Sequence, residues 1–400
     1  MEREHGRNCR GRPERRSQVE IQPFALERWM TTWETRVRYD LAESGIQPLA
    51  VEELLALEPD PEAALRGMLA TRLGYSEARG TAELRELIAG LYREASPDDV
   101  LVTTGAIEAN FLLCNVLLRP GDHVVAVYPA YQQLYSVPEA VGAEVSLWQL
   151  RRENGFRFDL DELRRLVTPR TRLIVVNTPH NPTGATLSQA ELEQIYAIAE
   201  QAGAWLLSDE AYRWLELPGR EPLAGPARDL GPRAISVGTL SKPFGLPGLR
   251  IGWLVAPVEI ATACWGLRDY ITLSPGKLSD FLATVALRHR DRLIARAHAI
   301  AARNLATLER WIEEREGLTD WVPPRGGLLG LLRYHLDVSS RELADRLAAE
   351  ASVMLAPGSA FGFEGHLRIG LGAEPGHFAE GLRVAATFLE DLATQRKPAR

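Results

Sequence analysis

The chain has 400 residues, 46% of them hydrophobic, and 46 basic against 53 acidic residues give a formal net charge of −7. This composition predicts a soluble globular protein whose core folds without disulfides or metal, and it argues against a general nucleic-acid binder, which would be basic. The three cysteines, Cys9, Cys114 and Cys264, are too widely spaced for a disulfide framework or a zinc site. No apolar run approaches the roughly 18 residues of a membrane span, and the N-terminus lacks a signal peptide's apolar segment. We therefore expect a cytoplasmic protein.

The N-terminal part of the chain divides into two segments. Residues 1–18 are rich in arginine and show no apolar periodicity, which predicts a disordered extension. From Ile21 to Tyr39, apolar residues recur at helical spacing, which predicts an amphipathic arm or helix. This arm carries Trp29 and Trp33, which are more typical of core or subunit contacts than of ligand stacking, and we expect a lone subunit to leave apolar surface of the arm exposed for a partner.

Between about residues 100 and 255, short apolar runs alternate with helical stretches. This alternation is typical of a mainly parallel sheet with helices on both faces. One helix is delimited by a capping box, Ser188 with Glu191, and by Gly203 at its end. After Pro275 the pattern predicts a long helical stretch to about Glu316, and then a smaller α+β segment. The runs predicted as strands are Val100–Thr103, His123–Val127, Glu144–Trp148, Arg172–Val176, Ala204–Leu207, Ala234–Val237 and Arg250–Val255.

Ligands of open parallel sheets bind beyond the carboxyl ends of the strands, so the residues directly after each predicted strand are the candidates for a binding site. Gly105 opens a helix whose free N–H groups suit a phosphate, although an ordinary strand-to-helix turn has the same pattern. Tyr131 offers a ring that either stacks on a flat ligand or packs on the next helix. Asn181 stands in an Asn-Pro-Thr-Gly turn, which either directs its amide outward or is a structural Asx turn.

Two charged residues come after the next strands. Asp209 ends a buried strand, where a carboxylate is costly without a partner; a cationic ring nitrogen would be one, and capping of the next turn is the alternative. Lys242 is one of only three lysines and comes directly after another buried strand. Lys277 is predicted in an exposed loop and Lys397 in the C-terminal tail. Partial burial would lower the pKa of the Lys242 amine and free it as a nucleophile for carbonyl groups.

These five features converge on one edge of the predicted sheet. A phosphate cradle, an aromatic ring, an amide, a carboxylate and a lysine together match the needs of pyridoxal phosphate. The chain has no Gly-x-Gly-x-x-Gly segment after a strand and no phosphate-loop lysine, which argues against a nicotinamide-dependent dehydrogenase. His180, His335 and His366 lack the spacing of metal ligands, so no metal site is expected.

From about Phe24 to Leu392 the chain resembles the fold-type I pyridoxal-phosphate enzymes of the aspartate aminotransferase superfamily. The resemblance implies an α/β fold, with a mainly parallel seven-stranded sheet between helices and a smaller α+β domain. It implies an arm over residues 19–50 that joins the small domain, a large cofactor-binding domain over 51–275, and an interdomain helix with the small domain over 276–400. The motifs that carry it are Asn181-Pro182-Thr183-Gly184, Asp209-Glu210-Ala211-Tyr212, Ser241-Lys242 and Arg250-Ile251-Gly252.

The resemblance also implies a role for individual residues. Lys242 would carry the cofactor as a Schiff base, Asp209 would pair with the pyridine nitrogen, and Tyr212 would join Asn181 at the ring oxygen. Tyr75 would reach the phosphate of the neighbouring subunit in a homodimer with shared active sites. Ala106 and Ile107 stand where relatives often carry a hydroxyl, so fewer side-chain phosphate bonds are expected there. The remaining implied residues are Tyr131 as the stacking ring, Gly105, Ala106, Ile107, Thr239, Ser241 and Arg250 at the phosphate, and Arg368, Asn181 and Gly45 at the substrate.

The implied activity is amino-group transfer between an amino acid and a 2-oxo acid. A narrower likeness, carried by segments such as Pro179-His180-Asn181-Pro182 and Pro324-Arg325-Gly326-Gly327, is to capreomycidine synthases, which cyclise a hydroxylated arginine. Elimination and cyclisation on an arginine-like amino acid is therefore the alternative, whereas Tyr212 favours plain transamination. A non-enzymatic regulator on this fold would carry a DNA-binding helical domain ahead of it, and the residues before the arm are too few for one.

Overall fold

The computed structural model describes residues 20 to 395, so the predicted disorder of residues 1–18, Cys9 and Lys397 lie outside the described residues. The helices are α1 (Ala25–Trp33), α2 (Val51–Leu55), α3 (Pro61–Leu69), α4 (Ala82–Ala89), α5 (Ala106–Leu117), α6 (Gln133–Val141), α7 (Leu160–Leu166), α8 (Gln189–Gln201), α9 (Val258–Arg268), α10 (Lys277–Arg288), α11 (Arg290–Glu313), α12 (Ser340–Ala351) and α13 (Pro375–Gln395). The strands are β1 (Tyr39–Asp40), β2 (Val100–Thr103), β3 (His123–Tyr128), β4 (Glu144–Gln149), β5 (Thr171–Asn177), β6 (Trp205–Asp209), β7 (Ala234–Thr239), β8 (Gly252–Val255), β9 (Thr319–Trp321), β10 (Leu329–Tyr334), β11 (Val353–Met354), β12 (Ala356–Pro357) and β13 (His366–Gly370).

The larger sheet has seven strands in the order β2-β8-β7-β6-β5-β3-β4. Strand β8 runs antiparallel to both of its neighbours, and the other pairs are parallel. Every apolar run predicted as a strand falls within or next to a strand of this sheet. Because helices cover both faces, the inner strands are buried and largely apolar, whereas the edge strand β4 is mostly half-buried. The predicted fold class, a mainly parallel sheet between helices, is confirmed.

The C-terminal part of the chain forms a smaller α+β arrangement. An antiparallel sheet has the order β12-β13-β10-β9, and β1 from the N-terminal arm pairs in parallel with β11. The long helix expected after Pro275 is two helices, because the chain breaks at His289 between α10 and α11. Lys277 begins α10, so the prediction that it lies in a loop is wrong.

The N-terminal arm packs on the C-terminal part of its own chain. Trp29 is 1% exposed and belongs to the same apolar cluster as strands β10 and β13. The indole Nε1 atoms of Trp29 and Trp33 both donate to Asp345 Oδ1, at 2.7 and 2.9 Å. The expectation that these tryptophans leave an apolar surface for a partner subunit is therefore wrong. The domain boundaries at residues 50 and 275 remain a prediction.

Across residues 20–395, no helix has the length and the apolar character needed to cross a bilayer.

Candidate active site

A cavity of about 410 Å³ lies at the carboxyl ends of the parallel strands and is bounded on one side by α1. Strands β5, β6 and β7 end at this edge, and the loops after them line the cavity. The structure therefore brings together residues that the sequence placed after separate strands. The predicted site residues that line the cavity are Ala106, Ile107, Tyr131, Asn181, Asp209, Tyr212, Thr239, Ser241, Lys242, Arg250 and Arg368.

Lys242 comes after β7 and projects toward the N-terminal arm. Its Nζ donates a hydrogen bond to Ser44 Oγ at 2.7 Å and lies 3.5 Å from Glu43 Oε1. Burial lowers the pKa of this amine, but the negative charge of Glu43 and the nearby Tyr212 outweigh burial, so the pKa lies above its ordinary value. The lowered pKa expected from the sequence is wrong, because the fold places the Glu43 carboxylate beside the lysine and the sequence did not indicate this contact.

Asp209 ends β6 as a buried carboxylate. Its Oδ2 accepts a hydrogen bond from Asn110 Nδ2 at 2.8 Å, and its Oδ1 accepts one from the Ala211 N–H at 3.0 Å. Asn177 Nδ2 donates to the backbone oxygen of Asp209, which fixes the two strand ends together. Burial raises the pKa of Asp209, since within the described chain no basic side chain forms an ion pair with it.

Arg368 lies on β13 of the smaller sheet and is 1% exposed. Its Nη1 donates to Asn181 Oδ1 at 3.2 Å and its Nη2 to the Ala42 carbonyl at 2.8 Å, whereas Nε has no hydrogen-bond partner. The Asn181 N–H donates to Asn177 Oδ1 at 2.7 Å, so the amide side chain that meets Arg368 is anchored to the strand end. A buried guanidinium with a free donor is suited to a carboxylate ligand.

A group of small and hydroxyl residues surrounds Arg250. Thr239 Oγ1 donates to Ser241 Oγ at 3.0 Å, and Arg250 Nη1 lies 3.5 Å from that same oxygen. Gly105 has φ 80°, and a Cβ there would lie 2.6 Å from Arg250 Nη2. A Cβ on Gly252 would lie 2.4 Å from the Ala106 nitrogen. The turn before α5 therefore packs directly against Arg250, and side chains at these glycines would force them apart.

Tyr131 and Tyr212 are the aromatic residues of the cavity wall. The Tyr131 hydroxyl donates to Glu27 Oε1 at 2.8 Å, and its ring centroid lies 4.7 Å from that of Phe24. Tyr212 is buried. The arm thus holds Tyr131 by a hydrogen bond and by a ring contact.

Three predicted residues do not line the cavity within this chain. Gly105 lies behind it, against Arg250. Gly45 lies beside it, where an added Cβ would be 3.0 Å from the Ser241 carbonyl. Tyr75 is 83% exposed and away from the cavity.

Sequence reasoning missed several residues of the site. Asn110 lies on the helix that follows Gly105, and Asn177 is the last residue of β5, so their positions near strand ends were a usable signal. The residues from the arm carry no strand-end signal, because only the packing of the arm brings them to the cavity. These are Leu26, Glu27, Met30, Glu34, Glu43 and Ser44.

The fold and the cavity together define an enzyme that uses pyridoxal phosphate. The chain belongs to the family of class I and II aminotransferases, whose family model matches residues 44–387. It is 37% identical over 377 residues to capreomycidine synthase from Streptomyces vinaceus, covering 93% of this chain and 94% of that protein. It is 32% identical to the arginine–pyruvate transaminase of Pseudomonas aeruginosa, covering 84% of this chain and 88% of that protein. A solved structure of a pyridoxal-phosphate-dependent aminotransferase from Streptococcus suis matches with a TM-score of 0.89 at 35% identity, covering 93% of this chain and 99% of that one.

The residues of the cavity fit this cofactor. Asp209 is a buried carboxylate without an ion-pair partner among the described residues, as a cationic ring nitrogen requires. Asn110, which donates to Asp209, has a buried Oδ1 without a hydrogen-bond partner, so the cavity wall still has an acceptor available for a ligand. Lys242 provides an amine at the same cavity, and Arg250 provides a charge for a phosphate.

Proposed function

We propose that the enzyme transfers an amino group between an amino acid and a 2-oxo acid. The convergence of Lys242, Asp209 and Arg368 in one cavity supports cofactor chemistry on an amino acid, and the 32% identity to an arginine–pyruvate transaminase favours amino-group transfer. An amine nucleophile, a carboxylate for a ring nitrogen and a guanidinium for a substrate carboxylate are the groups that such a transfer needs.

Each residue has a defined part in the proposal. Bound pyridoxal phosphate supplies an aldehyde and an electron-accepting ring. Lys242 would hold the cofactor through its Nζ and, when that amine is free, would move a proton to and from the substrate α-carbon. Ser44 Oγ, which accepts a hydrogen bond from that Nζ at 2.7 Å, gives the free amine a fixed position. Asp209 would keep the ring nitrogen of the cofactor protonated.

Arg368 binds the substrate α-carboxylate through its guanidinium, which is already oriented by Asn181 and by the Ala42 carbonyl. Tyr212 and Asn181 would contact the ring oxygen, and Tyr131 would stack on the ring. Gly45, beside the Ser241 carbonyl, would bring its backbone close to the substrate. The phosphate would lie against Thr239, Ser241, Arg250 and the N–H groups of the turn formed by Gly105, Ala106 and Ile107.

The proposal includes a homodimer with shared active sites. Tyr75 is 83% exposed, which supports a role toward a second subunit. Ile107, Phe111 and Ile271 are exposed apolar residues that line a second cavity of about 380 Å³ next to the first, and burial of such a surface favours association. We also propose a cytoplasmic location, consistent with the free thiols of Cys114 and Cys264.

The second candidate function is elimination with cyclisation on an arginine-like amino acid. The 37% identity to capreomycidine synthase supports it, whereas the likeness to an arginine–pyruvate transaminase supports amino-group transfer. Both reactions use the same lysine and the same cofactor, so the cavity by itself does not favour one of them.

A panel of amino donors separates the two candidates. The enzyme is incubated with each amino acid and a 2-oxo acid, and products are identified by mass. Amino-group transfer gives a new amino acid from the oxo acid in an amount equal to the donor consumed. A product that has lost water or ammonia and formed a ring, with the oxo acid unchanged, would contradict transamination and support cyclisation.

A further inference from the structure

Some charged side chains of the cavity have no partner of opposite charge in the proposed function. Its basic side chains are Lys242, Arg250 and Arg368, and its acidic side chains are Glu27, Glu34, Glu43 and Asp209. Glu43 is the neighbour of Lys242, and Asp209 is assigned to the ring nitrogen. In the proposed function, the phosphate of the cofactor is the charge partner of Arg250, and the α-carboxylate of the substrate is the charge partner of Arg368. Two carboxylates, Glu27 and Glu34, are left over.

Glu27 and Glu34 have no ion-pair partner within residues 20–395. Glu27 accepts a hydrogen bond from the neutral Tyr131 hydroxyl at 2.8 Å, which leaves its charge uncompensated. Glu27 lines the cavity, and its negative charge acts on Lys242 and on Arg368. Uncompensated carboxylates on the wall of a cleft concentrate cations there.

The two carboxylates and one apolar side chain form a stripe along the arm. Glu27, Met30 and Glu34 succeed one another at intervals of three and four residues, which places them on one face of α1 and its C-terminal end. All three line the cavity. Met30 therefore offers an apolar contact next to two carboxylates. A ligand side chain with a methylene stem and a cationic end would place its stem on Met30 and its charge near Glu27 or Glu34.

The exposure of the cavity residues indicates how a ligand would be oriented. Arg368 is 1% exposed and its Nε has no partner, so it marks the buried end of the cavity. Glu27 and Glu34 are exposed and mark the rim. A ligand anchored by its α-carboxylate at the buried Arg368 would direct its side chain toward the exposed carboxylates of Glu27 and Glu34.

We propose that this cavity selects amino acids with a long cationic side chain, of the arginine or lysine type, through Glu27 and Glu34 of the N-terminal arm. This inference rests on the proposed function for the position of the α-carboxylate at Arg368. It adds a specificity-determining surface that belongs to the arm and lies outside the cofactor-binding residues.

The test compares ligands that have the same shape and differ in charge. L-arginine is compared with L-citrulline and L-lysine with L-norleucine, by equilibrium titration of the cofactor-loaded enzyme and by kcat/KM. The variants are Glu27→Gln, Glu34→Gln and the double variant. Glutamine keeps an oxygen that accepts the Tyr131 hydrogen bond, so Tyr131 stays in place. Glu52→Gln, an exposed glutamate on α2 outside the cavity, is the matched control.

The wild-type enzyme is expected to bind the cationic member of at least one pair about tenfold more tightly than the neutral member, because each exposed ionic contact contributes modestly and two add. The double variant removes this preference, each single variant reduces it, and Glu52→Gln leaves it unchanged. High salt also reduces it, as for any exposed ionic contact. Equal binding of both members of both pairs by the wild-type enzyme would overturn the inference. So would an equal loss of cationic and neutral ligands in the double variant, which would indicate a structural role for the arm.

The binding measurement also separates this inference from the proposed function. Suppose that the charge preference disappears in the double variant and that the enzyme transfers no amino group. This result would support Glu27 and Glu34 as specificity residues and would contradict transamination. Amino-group transfer with no charge preference would support transamination and contradict the role of Glu27 and Glu34 in specificity.

Discussion

The buried Asp209 carboxylate is expected to destabilise the protein whenever the cofactor is absent. It accepts hydrogen bonds from Asn110 and from the Ala211 N–H but forms no ion pair within residues 20–395. Asparagine has nearly the same shape and can keep both neighbours. Its Oδ1 accepts from the Ala211 N–H, and its Nδ2 donates to the Asn110 oxygen, which has no partner in the wild-type protein, once the Asn110 amide rotates. We therefore expect Asp209→Asn to stabilise the cofactor-free protein.

The size of this effect depends on the balance at the carboxylate. Burying an ion costs several kcal/mol, and the two charge-assisted hydrogen bonds of Asp209 offset most of that cost at about 1.5–3 kcal/mol each, so we take a remaining cost of about 1–3 kcal/mol. At about 2 °C per kcal/mol for a large chain, the midpoint of thermal unfolding should rise by about 2–6 °C.

The same balance fixes the pH dependence. Burial raises the pKa of Asp209 above its ordinary value of 3.8, so the folded protein binds this proton more tightly than the unfolded chain. Wild-type stability therefore falls as the pH rises from 3.8 through the raised pKa, and asparagine avoids that loss. The difference between the two proteins should be largest at neutral pH and should shrink toward pH 4.

The assay is thermal unfolding of both proteins between pH 4 and pH 8, without and with pyridoxal phosphate. Cofactor should stabilise the wild-type protein more than the variant, because only a carboxylate attracts the cationic ring nitrogen. Glu210→Gln is the matched control, since burial raises the pKa of Glu210 to about 7 but this residue does not line the cavity. It should stabilise the cofactor-free protein and leave the cofactor's effect unchanged. A lower midpoint for Asp209→Asn, or equal cofactor effects in variant and wild-type protein, would refute the reasoning.

Three further predictions concern the other site residues. Borohydride reduction of the cofactor-loaded enzyme and subsequent peptide mapping should find the pyridoxyl group on Lys242, and labelling at Lys277 would contradict this assignment. Arg368→Lys keeps the charge but loses the planar guanidinium, so the KM for every amino acid should rise about tenfold to a hundredfold, which corresponds to a loss of about 1.5–3 kcal/mol. Steady-state kinetics with several amino donors measure this change. An unchanged KM would mean that another group binds the carboxylate. Mixing Lys242→Ala protein with Tyr75→Phe protein should restore part of the activity, because one site of each hybrid dimer would then be intact. A hybrid of Lys242→Ala with Arg368→Lys should stay near its parents, and failure of the first hybrid despite subunit exchange would refute the shared site.

The sequence determined the central sheet and the residues at its carboxyl edge. Strands that are buried on both faces must be apolar along their whole length, so their positions appear directly in the sequence. Lys242, Asp209 and Asn181 were found because they follow such strands, where the ligands of parallel sheets bind. Their common location results from the parallel arrangement of β5, β6 and β7.

Only the tertiary structure decided what the N-terminal arm does. Its periodicity predicted a helix but left open what its apolar face contacts, and Trp29 and Trp33 pack against the chain's own C-terminal part beside Asp345. The packing of the arm also sets the charge around Lys242, because an electrostatic effect depends on distance in space and Glu43 is remote from Lys242 in sequence. Local patterns report which face of an element is buried, whereas the partner of that face is chosen by contacts between distant segments.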